Sequence, residues 1–208
     1  MIWNSIKIRI TRMMQKRRFG SLGNGSYLIA PMRLIGTDKI FIGDNVVFFN
    51  NARIEAESEY YGTRYDSKIT IGDGTSVQQN VHITCASAVN IGKKCAVLPD
   101  VLITDINHPY TDINKPPAEQ ELEVKPVEIG DECMIGMGAR IMPGVRMGKH
   151  CVVGTNAVVT GGVYPDYSVI AGIPGRIIKR YNTEIERWEN CKKQTETVNV
   201  NVRKGTDF

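Results

Sequence analysis

The stretch IGDECM-IGMGAR-IMPGVR-MGKHCV-VGTNAV-V, residues 129–159, decides the fold. Its anchors Ile129, Ile135, Ile141, Met147, Val153 and Val159 fall every six residues without a break. Six is not a helical period, because helical faces alternate steps of three and four. Even spacing keeps side chains on one face of a strand. The same register runs earlier through Ile42, Phe48 and Ile54, then Ile71, Val77 and Ile83, then Ile91, Val97 and Ile103. Small or medium residues stand four places after many anchors, among them Thr75, Cys95, Cys133, Ala139, Cys151 and Ala157. So short a unit cannot bury its own apolar side chain and must stack on copies of itself. Three strands and three corners would close one triangular coil of 3 × 6 = 18 residues, with the anchors inside. Gly next to the anchor, as in Ile-Gly-Asp at 42–44, 71–73 and 129–131, is expected to supply the unusual backbone angles of a sharp corner. A β-sandwich is the competing fold, but its strands come at irregular spacings.

This pattern, over roughly Ile35 to Arg180, resembles the hexapeptide-repeat acyltransferases. The resemblance implies an all-β chain wound as a left-handed parallel β-helix, against the usual right-handed crossover. The expected layout is a basic capping segment at 1–20, the β-helix at 21–180 and a helix with a flexible tail at 181–208. Short helical segments are thus expected at both ends, with one long extruded loop.

The chain has 208 residues, net charge +4 and five cysteines without a CxxC pair. The length suits one domain. An odd cysteine count argues against a disulfide framework and for buried free thiols in a reducing cytosol. No run of 18 apolar residues and no signal-cleavage pattern is read, so a cytoplasmic protein is expected. The modest charge, gathered at the ends, does not suggest nucleic-acid binding. Residues 2–18 hold six Lys and Arg and no acidic residue, with Ile2, Ile6, Ile10, Met13 and Met14 at helical spacing. This reads as a helix capping the coil; weak contact of residues 1–19 with the inner membrane surface is the alternative. Thr183 to Lys193 reads as helix, with Thr183 as N-cap and Glu184 and Glu186 in its first turn.

Two stretches leave the register: about Glu55 to Lys68, and Pro109 to Pro126 with prolines 109, 116, 117 and 126. Long loops in a compact repeat are usually functional. His108 lies just before the second, in Thr-Asp-Ile-Asn-His-Pro-Tyr. That segment resembles the Asn/Gly-His-Pro of maltose, galactoside and polysaccharide O-acetyltransferases, where the histidine is the general base. A sugar hydroxyl holds its proton too tightly to attack a thioester unaided, and a neutral imidazole can remove it. The resemblance implies Asn80 as an acceptor contact; Asp105 and Asn107 are near enough in sequence to orient imidazole or acceptor. His82 reads as a surface residue near the cleft, and His150 as inert.

For the donor, acetyl-CoA, the resemblance implies Met134, Gly136 and Met137 near the thioester. Gly154, Thr155 and Thr160 would line the arm, and Arg176 and Lys179, with Arg180 beside them, the nucleotide end. Met134 departs from the Trp frequent there. The resemblance also implies a homotrimer with each site between two subunits, and direct transfer without an acyl-enzyme. The activity expected is sugar O-acetylation in capsule, O-antigen or exopolysaccharide synthesis. A nucleotide-sugar N-acetyltransferase and a serine acetyltransferase would use the same scaffold. A zinc enzyme of the γ-carbonic anhydrase type needs converging ligands, and the three histidines do not match its spacing, so no metal is expected. A non-catalytic β-helix scaffold remains as the third class.

Overall fold

The computed structural model describes residues 18–191. The basic segment read as a capping or membrane-contacting helix and the tail from Gln194 onward lie outside those residues, apart from residues 18–20. The chain winds as a left-handed parallel β-helix of three stacked sheets. The first face runs through Ser21–Leu22, Ile40–Ile42, Lys68–Ile71, Ala88–Ile91, Val127–Ile129, Val145–Met147 and Gly162–Tyr164. The second runs from Tyr27–Leu28 to Ser168–Ala171, and the third from Arg33–Ile35 to Val158–Val159. Together they make six full coils and a seventh that closes on two faces.

The register explains the period. Ile42, Ile71, Ile91, Ile129 and Met147 pair in one column up the first face. Phe48, Val77, Val97, Ile135 and Val153 pair up the second. Ile54, Ile83, Ile103, Ile141 and Val159 pair up the third. All are buried in one continuous core. Each coil therefore contributes one large side chain per face, and no coil could exclude water from these alone.

The small position carries more than volume. At the corner between the first and second faces, the Cys95 thiol donates to the Gly130 carbonyl at 3.2 Å, and the Cys133 thiol to that of Gly148 at 3.1 Å. The Thr75 hydroxyl does the same toward Gly92 at 2.8 Å, and accepts from the Cys95 amide at 3.0 Å. A small donor there ties each coil to the next. Cys133→Ser should therefore cost less than about 1 kcal/mol, whereas Cys133→Leu overpacks the corner and should cost about 1–3 kcal/mol. Thermal melts of the two variants check this; equal destabilisation would contradict it. All five cysteines are free.

The corner glycines have a different cause from the one read in the sequence. The left-handed residues at this corner are Gly25, Asn45, Gly74, Lys94, Glu132, His150 and Tyr167, not the glycine beside the anchor. Gly72, Gly92 and Gly130 are needed because a Cβ would stand 2.6 Å from the backbone of the next coil. The Asp that follows several of these glycines points down the stack. Asp131 Oδ1 accepts from the Lys93 amide at 2.8 Å, and Asp73 Oδ1 from the Asp44 amide at 2.9 Å.

The predicted helix over Thr183–Lys193 is not formed in its described part. Arg176–Asn182 turns back antiparallel along Ser168–Ala171, and Arg187–Asn190 pairs with it as a hairpin. Asn182 Oδ1, rather than Thr183, accepts from the amides of Glu184 and Ile185 at 3.0 and 3.4 Å, which makes a tight turn. The open edge of the last coil offers a row of backbone groups, and pairing satisfies more of them than an isolated helix would. The strands also hold Ile177, Ile178, Tyr181 and Trp188, residue types that favour extended chain.

Candidate active site

Both irregular stretches leave from one corner, between the third and first faces. The first separates Arg53–Ala56 from Lys68–Ile71 and holds a small hairpin, Glu59–Tyr60 with Thr63–Arg64. The second separates Leu102–Thr104 from Val127–Ile129 and opens with Ile106–Asn107 paired to Glu123–Val124. They pack on each other although two coils apart in the stack. The Tyr60 hydroxyl donates to the Ala118 carbonyl, and the Tyr65 hydroxyl accepts from the Leu122 amide at 3.0 Å. Neither tyrosine could be assigned a task from the sequence, because the contact joins residues 58 and 57 positions apart.

His108 is exposed at this junction. Its ring meets Tyr60 edge to face, with centroids 5.5 Å apart. Such a contact fixes a ring while leaving its nitrogens open. Asp105, three residues earlier, is fully buried at the start of the excursion. The carboxylate accepts from the amides of Ala86 and Ser87 at 2.9 and 2.7 Å, so it caps the corner of the coil below. Burial raises its pKa, and these hydrogen bonds partly oppose that. Asp105 therefore fixes the corner from which the histidine loop departs. Asn107 donates to Glu123 Oε2 at 3.3 Å, pinning the two strands of the excursion together.

Asn80 stands elsewhere. It is left-handed, at the corner between the second and third faces. Its amide accepts from Asn51 at 3.2 Å and donates to Asp100 at 3.0 Å, a ladder running along that corner. The third-face strand separates it from the His108 corner, about 16 Å for five extended residues. One chain does not bring the two together.

Most donor positions form a line at this second corner and along the second face. Met134 pairs with Val152, Val152 with Val169, and Val169 with Lys179, so all four project outward in one column. Arg176 pairs with Ala171 beside it, and its Nη1 donates to the Gly175 carbonyl at 3.2 Å. Met134 and Met137 are 42% and 48% exposed, unusual for unbranched apolar side chains with a core at hand. Three strand steps cover about 14 Å, a suitable run for a long linear arm. Gly136 is demanded by stacking, since a Cβ would stand 2.5 Å from the Val153 carbonyl; Gly154 has more room, 3.2 Å from Ala171 Cβ. Thr155 is exposed on the line, whereas Thr160 lies at the His108 corner, two coils further on.

The remaining candidates are differently occupied. His82 is half-buried, with Nε2 3.1 Å from Glu55. His150 lies against Tyr167, with Nδ1 3.5 Å from Glu132. The three histidines are on separate coils, and among the described residues no group of three metal-ligating side chains converges. Cys85 is buried, and burial beside Asp105 pushes its thiol up to about 12, so it is no ready nucleophile.

The family model "Bacterial transferase hexapeptide (six repeats)" matches residues 126–161. The chain is 38% identical over 130 residues to a putative lipopolysaccharide biosynthesis O-acetyl transferase, WbbJ, of Escherichia coli K12, covering 59% of this chain and 66% of that one. It belongs to the hexapeptide-repeat transferase family. A putative acetyltransferase of Saccharomyces cerevisiae is 35% identical over 62% of this chain and 64% of its own length. The family member described here thus spans somewhat under two thirds of these curated relatives. Solved structures share the fold. The hexapeptide-repeat acetyltransferase VCA0836 of Vibrio cholerae aligns with a TM-score of 0.60, 24% identity and coverage of 84% and 81%. The galactoside acetyltransferase in complex with coenzyme A aligns at 0.56, 22% identity and coverage of 86% and 74%.

Proposed function

We propose that this chain is an acetyl-CoA-dependent acyltransferase that moves acetyl to a sugar hydroxyl, with His108 as general base. The observation that carries the reading is the exposed His108 ring. It is held by Tyr60 where two excursions meet, on a scaffold whose neighbouring corner carries an outward line from Met134 to Lys179. Neutral imidazole takes the hydroxyl proton as the sugar oxygen attacks the thioester carbonyl. The tetrahedral intermediate collapses, the C–S bond breaks, and the imidazolium returns its proton to the departing thiolate. Transfer is direct, in keeping with the burial of four of the five cysteines.

The active assembly is a homotrimer. His108 and the line from Met134 sit at different corners of one prism, so a second protomer laid alongside must supply the donor line. Arg176 and Lys179 at the far end offer charge for the phosphates of the nucleotide. The E. coli relative is named for O-acetyl transfer in lipopolysaccharide biosynthesis, which supports a cell-surface saccharide as acceptor. We assign the reaction to the cytoplasm, where acetyl-CoA is available.

The test is release of coenzyme A thiol from acetyl-CoA against a panel of sugars, with sedimentation of the same sample. Acceptor-dependent thiol release by a trimer supports the reading. A fully active monomer would remove the shared site, and thiol release with amines only would redirect the chemistry to N-acetylation.

A further inference from the structure

On the outer side of the third face, Arg33 and Arg53 pair directly across neighbouring strands, and His82 follows in the same column. Like charges so placed repel. Glu55, one step along, is 2% exposed and holds all three. Its Oε2 accepts from Arg53 Nε at 2.7 Å and lies 3.1 Å from His82 Nε2. Arg33 Nε is 2.7 Å from Oε1, close enough to pair but not aligned to hydrogen-bond. Among the described residues no other acceptor meets either guanidinium, and the two are 59% and 43% exposed. Burial keeps the His82 pKa low, so the imidazole adds little charge. Glu57 lies near without an ion pair of its own; burial and then Glu55 raise its pKa, while Arg33 and Arg53 partly oppose that. One buried carboxylate thus fixes two guanidinium groups in place, and Glu57 is a second carboxylate near them that neither arginine pairs with.

We propose that Arg33 and Arg53, set by Glu55, form an acceptor subsite for an oxyanion, phosphate or carboxylate, carried by the saccharide whose hydroxyl is acetylated. The inference rests on the sugar-transferase reading above. Position favours it. Glu55 stands two strand steps, about 10 Å, below Thr104 in one register column, and His108 follows Thr104 by four residues. A saccharide of a few units, or a sugar phosphate, can bridge that. Guanidinium forks that are already immobilised bind oxyanions with little further ordering cost. The cluster is therefore a specificity device: it selects charged acceptors over neutral ones.

The experiment compares kcat/KM for galactose, galactose 1-phosphate and galacturonic acid in wild type, Arg33→Gln, Arg53→Gln and Arg53→Lys. Thermal melts of each confirm folding. Wild type should prefer at least one charged acceptor by about 10- to 100-fold, as expected for charge-assisted hydrogen bonds. The phosphate and carboxylate arms identify which oxyanion is taken. In the glutamine variants the preference should fall to near one through KM, and Arg53→Lys should lie between. A wild type indifferent to charge, or variants that keep the preference, would overturn the subsite and leave the transferase reading standing. If no sugar is acetylated, that reading fails. The subsite is then judged by inorganic pyrophosphate. Stabilisation of wild type that both glutamine variants lose supports it, and no stabilisation overturns it.

Discussion

His108→Ala will lower acetyl transfer by about 10²- to 10⁴-fold while leaving coenzyme A binding unchanged. The ring is exposed and contributes nothing to the packed core, so its removal does not threaten the fold. Truncation breaks the edge-to-face meeting with Tyr60, which is worth about 0.5–1.5 kcal/mol. The donor line sits at another corner and does not depend on that ring. The defect must therefore appear in kcat, with the donor constant preserved. Tyr60→Phe should keep the aromatic pairing but release the Ala118 carbonyl, giving a smaller defect. Stopped-flow thiol release and calorimetric titration of coenzyme A separate the two quantities. A variant that turns over normally would remove His108 from the chemistry, and one that no longer binds the donor would mean the ring belongs to the donor groove.

Gly92→Ala should be severely damaging for a single added methyl, costing about 3 kcal/mol and lowering the melting temperature by about 6–12 °C. Its Cβ would stand 2.5 Å from the Asp131 carboxylate and 2.6 Å from the backbone of Gly130 and Asp131. Backbone cannot step aside without opening the parallel pairing of Ala88–Ile91 with Val127–Ile129. Gly154→Ala provides the contrast. There the nearest atom is a methyl at 3.2 Å and the backbone is not left-handed, so the cost should stay under about 1 kcal/mol. Equal destabilisation at the two sites would mean that corner glycines serve chain flexibility rather than coil contact.

The glycines show how far the sequence could be read. The period placed every anchor in its column, because side-chain alternation in a strand is a local property that spacing records. The glycine requirement was visible too, but its cause was not. Contact with a coil 18 to 39 residues away leaves the same mark as a local turn would. The C-terminal hairpin was missed for a related reason. Glu184 and Glu186 after Thr183 make a fair helix start, yet the free edge at Ser168–Ala171 outweighs it, and that edge exists only once the coils have stacked. His108 is singled out by its neighbours Asn107 and Pro109 through the resemblance alone, whereas nothing in the spacing brings Tyr60 to it. The resemblance implies Asn80 as an acceptor contact in the coil below His108; within one chain it stands at another corner, a separation that only the winding of the coils sets. The Arg33–Arg53–Glu55 cluster went unread because its members are 20 and 22 residues apart, joined only by register.

The central claim is that His108 serves a thioester laid along another protomer's Met134–Lys179 line. A crystal structure with coenzyme A tests this most directly. The account predicts the arm running past Met134 and Thr155 toward Arg176 and Lys179. The thiol should end a few Å from the His108 ring of an adjacent chain, leaving space for an acceptor oxygen within hydrogen-bond reach of the ring nitrogen. A cofactor bound on another face, or a thiol remote from every His108 in the assembly, would contradict it.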